Sequence, residues 1–328
     1  MRDRDEDDDA LFSGRGPLPE DLARLQRSLS TLPLPPEPDW SARRVRERWP
    51  RLVYAAVAAV LIIAFGCTLL ARDSWRVDTV DGSLSFGGMA FWGRIALGGR
   101  VATEARSHAR IEVEGLGRVE LGPSSVLRRV PGRFGEQKLA LDRGTLHAYI
   151  QAPPRRFVVE TPVGIATDLG CAYTLYVDRG AGWLTVTTGR VTFTNAGFES
   201  FVPAGCQCEL RPSGVGVPTR VYASDAFLEA IRSFENDDHR VPWMLDRALA
   251  TAEASDAITL WHLLPRVSGE QRERVAARIA ALIEVPGDVP RARVLALEPA
   301  ALDAWWAALG MGDAAEWRAG PGRKVLRW

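Results

Sequence analysis

A run of twenty uncharged residues, LVYAAVAAVLIIAFGCTLLA, extends from Leu52 to Ala71. As a continuous α-helix it would rise by about 30 Å, which is the thickness of the hydrocarbon core of a bilayer. A buried helix of a soluble protein is the alternative, but such a helix seldom lacks a polar face over this length. The sequence therefore predicts one transmembrane helix over residues 51–71.

The charges on the two sides of this run are unequal. Arg72 and Arg76 follow it and are accompanied by Asp73 and Asp78. The side that precedes it carries five arginines, namely Arg43, Arg44, Arg46, Arg48 and Arg51. Because cytoplasmic flanks are rich in arginine and lysine, we expect a cytoplasmic amino terminus, with the lipid bilayer as a partner and everything after residue 71 on the outer side.

Residues 1–50 are predicted to be a cytoplasmic tail with one short amphipathic helix. Between Glu20 and Leu32, the leucines at positions 22, 25, 29 and 32 recur at steps of three and four and form one apolar stripe (Leu22, Leu25, Leu29 and Leu32). A stripe with nothing of its own to pack on predicts a partner, which is another protein, a second copy or the membrane surface. A mostly disordered tail is the alternative. Four prolines from Pro33 to Pro38 end the helix and predict an extended spacer.

Residues 72–220 have the texture of an all-β domain, with many glycines and β-branched residues. Apolar and charged side chains alternate from Arg110 to Glu114 and from Arg118 to Leu121, as they do in half-buried strands. Further strands are predicted at 139–141, 146–150, 157–160, 172–177, 184–187 and 191–194. We expect a two-sheet stack or a twisted β-helix.

Several motifs of this region, in the same order, resemble those of the FecR domain. The first group is a glycine, a threonine, an S-x-A and a V-x-L-x-P-x-S pattern, which fall on Gly99, Thr103, Ser107, Ala109, Val119, Leu121, Pro123 and Ser125. The central group falls on Gly144, Phe157, Thr161, Pro162, Gly164, Leu169 and Gly170, and a V-x-x-G-x-V pattern follows on Val186, Gly189 and Val191. One position departs from the family, because Gly170-Cys171-Ala172-Tyr173 stands where the family usually has Gly-Thr-x-Phe.

The resemblance implies a membrane regulator of the anti-sigma type in the bacterial inner membrane. In FecR-like regulators a cytoplasmic helical segment binds a sigma factor, and a periplasmic domain senses an envelope protein. The leucine stripe would then be the sigma-factor contact in regulation of transcription, and the β domain would carry the sensing or interaction. An envelope scaffold or interaction protein without a sigma-factor contact is the alternative.

Three of the four cysteines lie beyond the apolar run: Cys171, Cys206 and Cys208. Cys206 and Cys208 share one face of a predicted strand, and neighbours two apart on one strand are too far apart to pair easily. A disulfide from Cys171 to Cys206 or to Cys208 is therefore our expectation. Buried free thiols, or a metal or redox site, are the alternatives.

No pattern in the sequence predicts catalysis, a cofactor or a metal. The chain contains no G-x-S-x-G elbow, phosphate-binding loop or H-E-x-x-H motif, and its four histidines lack the spacing of zinc ligands. Its 41 basic and 41 acidic residues give no net charge, which argues against a nucleic-acid partner. We therefore expect a protein that is not an enzyme.

Residues 221–328 change to alanine, leucine, arginine and tryptophan, and predict a carboxyl-terminal all-α region. Helices are expected at 226–234, 242–264, 269–284 and 298–309. Four tryptophans, Trp261, Trp305, Trp306 and Trp317, are expected to anchor the packing of these helices, with a partner-binding patch as the alternative. The predicted architecture is thus a mainly β outer domain, one transmembrane helix and this helical region.

Overall fold

The computed structural model describes residues 20–33, 53–62, 65–66, 73–91, 93–113, 115–133, 135–195, 197–236 and 242–312. The chain forms two compact units, Met1–Gly66 and Cys67–Trp328. The boundary between the two units lies between Gly66 and Cys67. The domain boundaries predicted from the sequence, at residues 50, 71 and 220, stay predictions.

The amino-terminal unit contains helix α1, Glu20–Ser30, and a helical segment at residues 53–62 and 65–66. Helix α1 begins with Glu20 and Asp21 and has Arg27 in its last turn, an arrangement that suits the helix dipole. None of its residues is buried.

The predicted transmembrane helix is wrong. Ten consecutive helical residues, 53–62, rise by about 15 Å, which is about half the thickness of the hydrocarbon core. Across the described ranges, every helix is too short or too polar to cross a membrane. Residues 51–52, 63–64 and 67–71 lie outside those ranges. A run without charged residues partitions well into an apolar environment. Its composition alone does not determine the length of a helix within it.

The second unit begins with β-strands. They are β1 Trp75–Asp81, β2 Leu84–Gly87, β3 Ala90–Phe91, β4 Arg94–Ile95, β5 Arg100–Thr103, β6 His108–Val113, β7 Gly117–Leu121, β8 Val126–Val130, β9 Gln137–Ile150, β10 Phe157–Thr161, β11 Gly164–Asp168, β12 Ala172–Asp178, β13 Ala181–Thr188, β14 Arg190–Asn195, β15 Phe198–Pro203, β16 Cys206–Arg211, β17 Gly214–Val215 and β18 Thr219–Arg220. Every strand segment expected from alternation lies in one of these elements, apart from Glu114, which is outside the described residues.

The strands form two sheets. Sheet A runs β3, β4, β1, β6, β7, the second half of β9, β12, β13 and β16, and β16 also pairs with β17 and β18. Sheet B runs β2, β5, β8, the first half of β9, β10, β11, β14 and β15. The β9–β10 pair is parallel, and the other pairs are antiparallel. One apolar core contains side chains from both sheets, for example Ile111 and Leu175 of sheet A and Leu139 and Phe193 of sheet B. The mainly β part is therefore a two-sheet stack.

Strand β9 passes from sheet B to sheet A, and Gly144 lies where it changes sheets. Residues 138–141 of β9 pair with β8, whereas residues 146–150 pair with β7. Gly144 has φ +97°, and a Cβ there would lie 2.2 Å from Oγ of Ser125. Only glycine fits this bend, because both the backbone conformation and the space exclude a side chain.

The carboxyl-terminal region is helical. Its elements are α2 Asp225–Asn236, α3 Pro242–Thr251, α4 Ala257–Leu263, α5 Gly269–Leu282, α6 Arg291–Leu295 and α7 Pro299–Ala308, with 3₁₀ turns at Ala254–Asp256 and Leu264–Arg266. Phe201 of β15 belongs to the core of these helices, whereas the next residue, Val202, belongs to the core between the sheets. Strand β15 is thus buried on both faces, and the helices pack against the outer face of sheet B.

Candidate functional site

The leucine stripe lies on α1 and just after its end. Leu25 and Leu29 are each 56% exposed and Leu32 is 61% exposed, whereas Leu22 is partly buried. A short helix is only marginally stable in water, and exposed leucines add no packing that would stabilise it. Three of the four leucines of the stripe are exposed in this way.

The three predicted cysteines are buried free thiols. Cys206 and Cys208 lie on β16, opposite Val186 and Leu184 of β13, while Cys171 directly precedes β12 on the other side of β13. The expected disulfide is therefore not formed in this structure, and the alternative of buried thiols describes it. Burial raises the pKa of Cys206 to about 11 and raises the pKa of Cys171 and Cys208 further. Such thiols are poor nucleophiles, because little thiolate is present at neutral pH.

Asp168 shapes the crossing from sheet B to sheet A. It ends β11, and its carboxylate accepts hydrogen bonds from the backbone N–H of Gly170, at 2.6 Å, and from the Cys171 thiol. The side chain is only 1% exposed. Burial raises the pKa of Asp168 to about 6, and the two hydrogen bonds offset this only in part. A carboxylate in this position is ionised at neutral pH at a cost to the fold.

Tyr173 lies beside this carboxylate in the core. Its hydroxyl is buried and has no hydrogen-bond partner within the described ranges. Burial, together with the charge of Asp168, raises the pKa of Tyr173 well above its ordinary value. This is where the chain departs from the family's Gly-Thr-x-Phe pattern. Cys171 stands at the threonine position and Tyr173 at the phenylalanine position, so a thiol and a hydroxyl lie inside the core.

A buried ion-pair network joins the β domain to the helices. The Glu235 carboxylate of α2 accepts hydrogen bonds from the guanidinium of Arg266, at 3.0 Å, and from the backbone N–H of Val217, at 3.0 Å. Arg211 of β16 lies 3.3 Å from its other oxygen. Arg266 also donates to Ser200 of β15. Burial raises the pKa of Glu235, and the two arginines oppose that shift.

Aromatic side chains complete this junction. The rings of Phe201 and Trp306 meet edge to face with centroids 4.7 Å apart, and Trp261 lies 4.9 Å from Trp306. One nitrogen of His262 accepts the backbone N–H of Phe201, at 3.2 Å, and the other lies 2.9 Å from the carbonyl oxygen of Ile258. The tryptophans at 261, 305 and 306 are therefore core anchors, as expected, while Trp317 lies outside the described residues.

A surface groove with a volume of about 280 Å³ lies on the outer face of sheet B. It is lined by Arg128, Ala140, Leu141, Asp142, Glu160, Thr161, Pro162, Gly164 and Ile165. Arg128 and Asp142 pair with each other at 2.7 Å, and Lys138 pairs with Glu160. The turn from Thr161 to Gly164, which contributes to the family resemblance, closes the β10–β11 hairpin through a hydrogen bond from Thr161 Oγ1 to the Gly164 carbonyl. The groove thus offers paired rather than free charges.

The histidines have separate surroundings. His108 lies 2.8 Å from Asp81, and His147 lies 2.9 Å from the Thr174 hydroxyl, while His239 is outside the described residues. Within the part of the chain that the structure describes, no group of histidine, cysteine and acidic residues is arranged to hold a metal.

Sequence reasoning missed Asp168 and the Glu235–Arg266 pair. For Asp168, the Asp-Leu-Gly sequence was a usable signal, because aspartate and glycine two residues apart favour a turn closed by the aspartate side chain. For Glu235 and Arg266, no local signal exists, since the two residues are 31 positions apart and meet only through tertiary packing.

The chain was compared with protein families, curated proteins and solved structures. Two crystal structures from Parabacteroides distasonis ATCC 8503, each named as "a putative anti-sigma factor", are similar to part of this chain. The first is 14% identical with a TM-score of 0.32, over 40% of this chain and 63% of its own. The second is 15% identical with a TM-score of 0.32, over 45% of this chain and 73% of its own. No curated protein matches the chain. The family model described as FecR protein matches residues 99–192, from the residue before β5 into β14, so this part of the chain matches a FecR domain.

Proposed function

We propose that this protein is a FecR-like regulator of transcription whose α1 leucine stripe binds a sigma factor. The observation that carries the proposal is the exposure of Leu25, Leu29 and Leu32 on a chain that also contains a FecR domain. In FecR-like regulators a helical segment on the amino-terminal side of this domain makes the sigma-factor contact. Helix α1 has that place in the order of the chain.

The chemistry of α1 suits a helix that docks into an apolar groove of a partner. Leucines at 22, 25 and 29 occupy one side of the helix and Arg24 and Arg27 occupy the opposite side, while Gln26 lies at the edge of the stripe. Helices of this kind bind through apolar anchors spaced three and four residues apart. Binding would bury about three leucine side chains, each worth about 1.5–3 kcal/mol.

The β domain acts, in this proposal, by binding and not by catalysis. The buried carboxylates of Asp168, in the β domain, and of Glu235, on α2, are committed to a turn and to the junction with the helices. The FecR resemblance suggests that the ligand of the β domain is a protein of the cell envelope. The same resemblance, on its own, suggests a location at the bacterial inner membrane, which cell fractionation with an antibody to the β domain would test.

The decisive experiment is affinity purification of the full-length chain from its own host, followed by identification of bound proteins by mass spectrometry. Three forms are compared: wild type, Leu25→Asp and Gln26→Asp. Leu25 and Gln26 are neighbouring exposed residues of α1, so both substitutions add the same charge to the same turn. They differ only in whether the stripe is interrupted.

We expect a sigma factor to be recovered with the wild type and with Gln26→Asp, and to be reduced at least tenfold with Leu25→Asp. A carboxylate within an apolar interface costs more than the leucine contact that it replaces, and about 1.4 kcal/mol is sufficient for a tenfold loss. Recovery of no sigma factor, or equal recovery with both variants, would contradict the proposal. Equal recovery of an envelope protein by all three forms would favour the scaffold alternative.

A further inference from the structure

The β domain holds its first described residues through two arginines. Asp73 and Ser74 precede β1 and Trp75 is its first residue; we name these three residues the entry strap. Arg129 of β8 contacts Asp73, and Arg94 of β4 contacts Ser74. These strands belong to different sheets, because β4 lies in sheet A and β8 lies in sheet B. The entry strap therefore bridges the two sheets.

The contact with sheet B contains a buried cation. The Arg129 side chain is only 5% exposed, and its guanidinium donates to the carboxylate of Asp73 at 2.7 Å and to the Asp73 carbonyl oxygen. It also lies over the ring of Trp75, 4.2 Å from the centroid. The Asp73 side chain is 69% exposed, so solvent screens this ion pair although the Arg129 side chain is buried. The contact with the Asp73 carbonyl oxygen and the Trp75 ring therefore contributes to holding the start of β1 on sheet B.

The contact with sheet A joins the Arg94 cation to neutral acceptors of Ser74. The guanidinium of Arg94 donates to the Ser74 hydroxyl and to the Ser74 carbonyl oxygen, each at 2.6 Å. Ser74 is buried, and Trp75 is paired with Ile95 of β4. A displacement of one sheet relative to the other would move Arg94 and Arg129 in different directions and would break one of the two contacts.

We propose that the entry strap is a two-state conformational device: it stays bound while sheets A and B keep their present relative position, and it is released as one unit when that position changes. Its biological use rests on the proposed function, because the strap lies where the chain passes from the amino-terminal unit into the β domain. A partner that shifts the sheets would then alter the chain that precedes β1.

The test is amide hydrogen exchange, followed by mass spectrometry, on the full-length chain. Four forms are compared with the wild type: Arg129→Met, Arg94→Met, the double variant and Arg128→Met. Arg128 is the matched control, because it is the adjacent arginine on β8 and faces the outer groove. A fifth form, Leu127→Ala, loosens the core between the sheets at a residue that belongs to that core.

We expect peptides covering residues 73–77, which include the Val77 N–H that donates to the Gly93 carbonyl oxygen, to exchange at least tenfold faster in Arg129→Met, Arg94→Met and Leu127→Ala. The double variant should exchange no faster than the faster single variant, because either loss already releases the whole strap. Exchange in β12 and β13 should stay within twofold of the wild type in the two single arginine variants, and Arg128→Met should leave the strap unchanged.

Three results would overturn the proposal: an unchanged strap in Arg129→Met, effects that multiply in the double variant, or an equal acceleration in β12 and β13. The last result would mean that the arginines only support global stability. No sigma factor takes part in the measurement, so failure here and failure of the proposed function are distinguishable.

Discussion

Replacement of Asp168 by asparagine should stabilise the protein at neutral pH. The asparagine keeps an oxygen for the Gly170 N–H but carries no charge. Burial raises the pKa of Asp168 from 3.8 to about 6, so the folded protein favours the protonated carboxyl. The stability that protonation provides is present below about pH 4 and is lost as the pH rises through 6. A shift of about two units corresponds to about 3 kcal/mol, which is the upper limit of the gain expected for Asp168→Asn at pH 7, because the asparagine loses one acceptor and with it the hydrogen bond from the Cys171 thiol.

The assay is chemical denaturation of wild type and Asp168→Asn between pH 4 and pH 8, followed by circular dichroism. The difference in unfolding free energy should be small near pH 4 and grow to at most about 3 kcal/mol by pH 7, and the melting temperature at pH 7 should rise by at most about 6–12 °C. Asp178→Asn is the control, because Asp178 is half exposed and its closest charged partner, Arg179, is 3.8 Å away, so its effect should stay within about 0.5 kcal/mol. A difference that does not vary with pH, or a less stable variant at pH 7, would refute the reasoning.

Three further predictions follow from the buried contacts. Arg266→Met should cost about 3–5 kcal/mol in denaturation, because it leaves the Glu235 carboxylate with one fewer cation, whereas Arg247→Met at the exposed pair with Glu229 should cost about 1 kcal/mol or less. Gly144→Ala should be strongly destabilising, since its Cβ would meet Ser125, and Gly115→Ala, which meets nothing within 4 Å, should cost about 1 kcal/mol; equal losses in melting temperature would contradict this. Cys171, Cys206 and Cys208 should be inert to a thiol reagent in the native protein and all react in denaturant, and a disulfide between any two would reduce the denatured titre by two.

The strands were predictable from sequence because the alternation of apolar and polar residues along a strand matches the alternation of buried and exposed side chains. Arg110, Ile111, Glu112 and Val113 alternate between charged and apolar, and in β6 they alternate between exposed and buried. The charged positions also form a local pattern on the outer face of sheet A, where Arg110 lies opposite Glu120 and Glu112 lies opposite Arg118. Alternation with a period of two is local information, so a single sequence contains it. Strand β15 lacks that alternation because it is buried on both faces, and it was not predicted.

The apolar run at residues 52–71 shows the opposite case. Its composition was correctly recognised as apolar, but apolarity is a property of each residue, whereas the length of a helix depends on which backbone hydrogen bonds continue through the run. The predicted span required about twenty helical residues in succession, and the described residues of the run contain ten in succession, at 53–62, while residues 52, 63–64 and 67–71 lie outside the described ranges. The flanking arginines could not correct the error, because the positive-inside rule orients a span without establishing that one exists.

The site residues depend on contacts that local patterns do not contain. Asp73 and Arg129 are 56 positions apart, and Ser200 and Arg266 are 66 apart, yet both pairs form hydrogen bonds at buried junctions. Each pair exists because strands distant in sequence become neighbours, which depends on the registers of several intervening strands. The resemblance of the FecR motifs compensates in part, since residues such as Gly144 and Thr161 mark the bend and the turn that set those registers. The motifs therefore predict the backbone framework of the sheets. They do not predict the charged residues that form hydrogen bonds across it, Asp168, Arg129 and Glu235, and single substitutions at these three positions should be most informative.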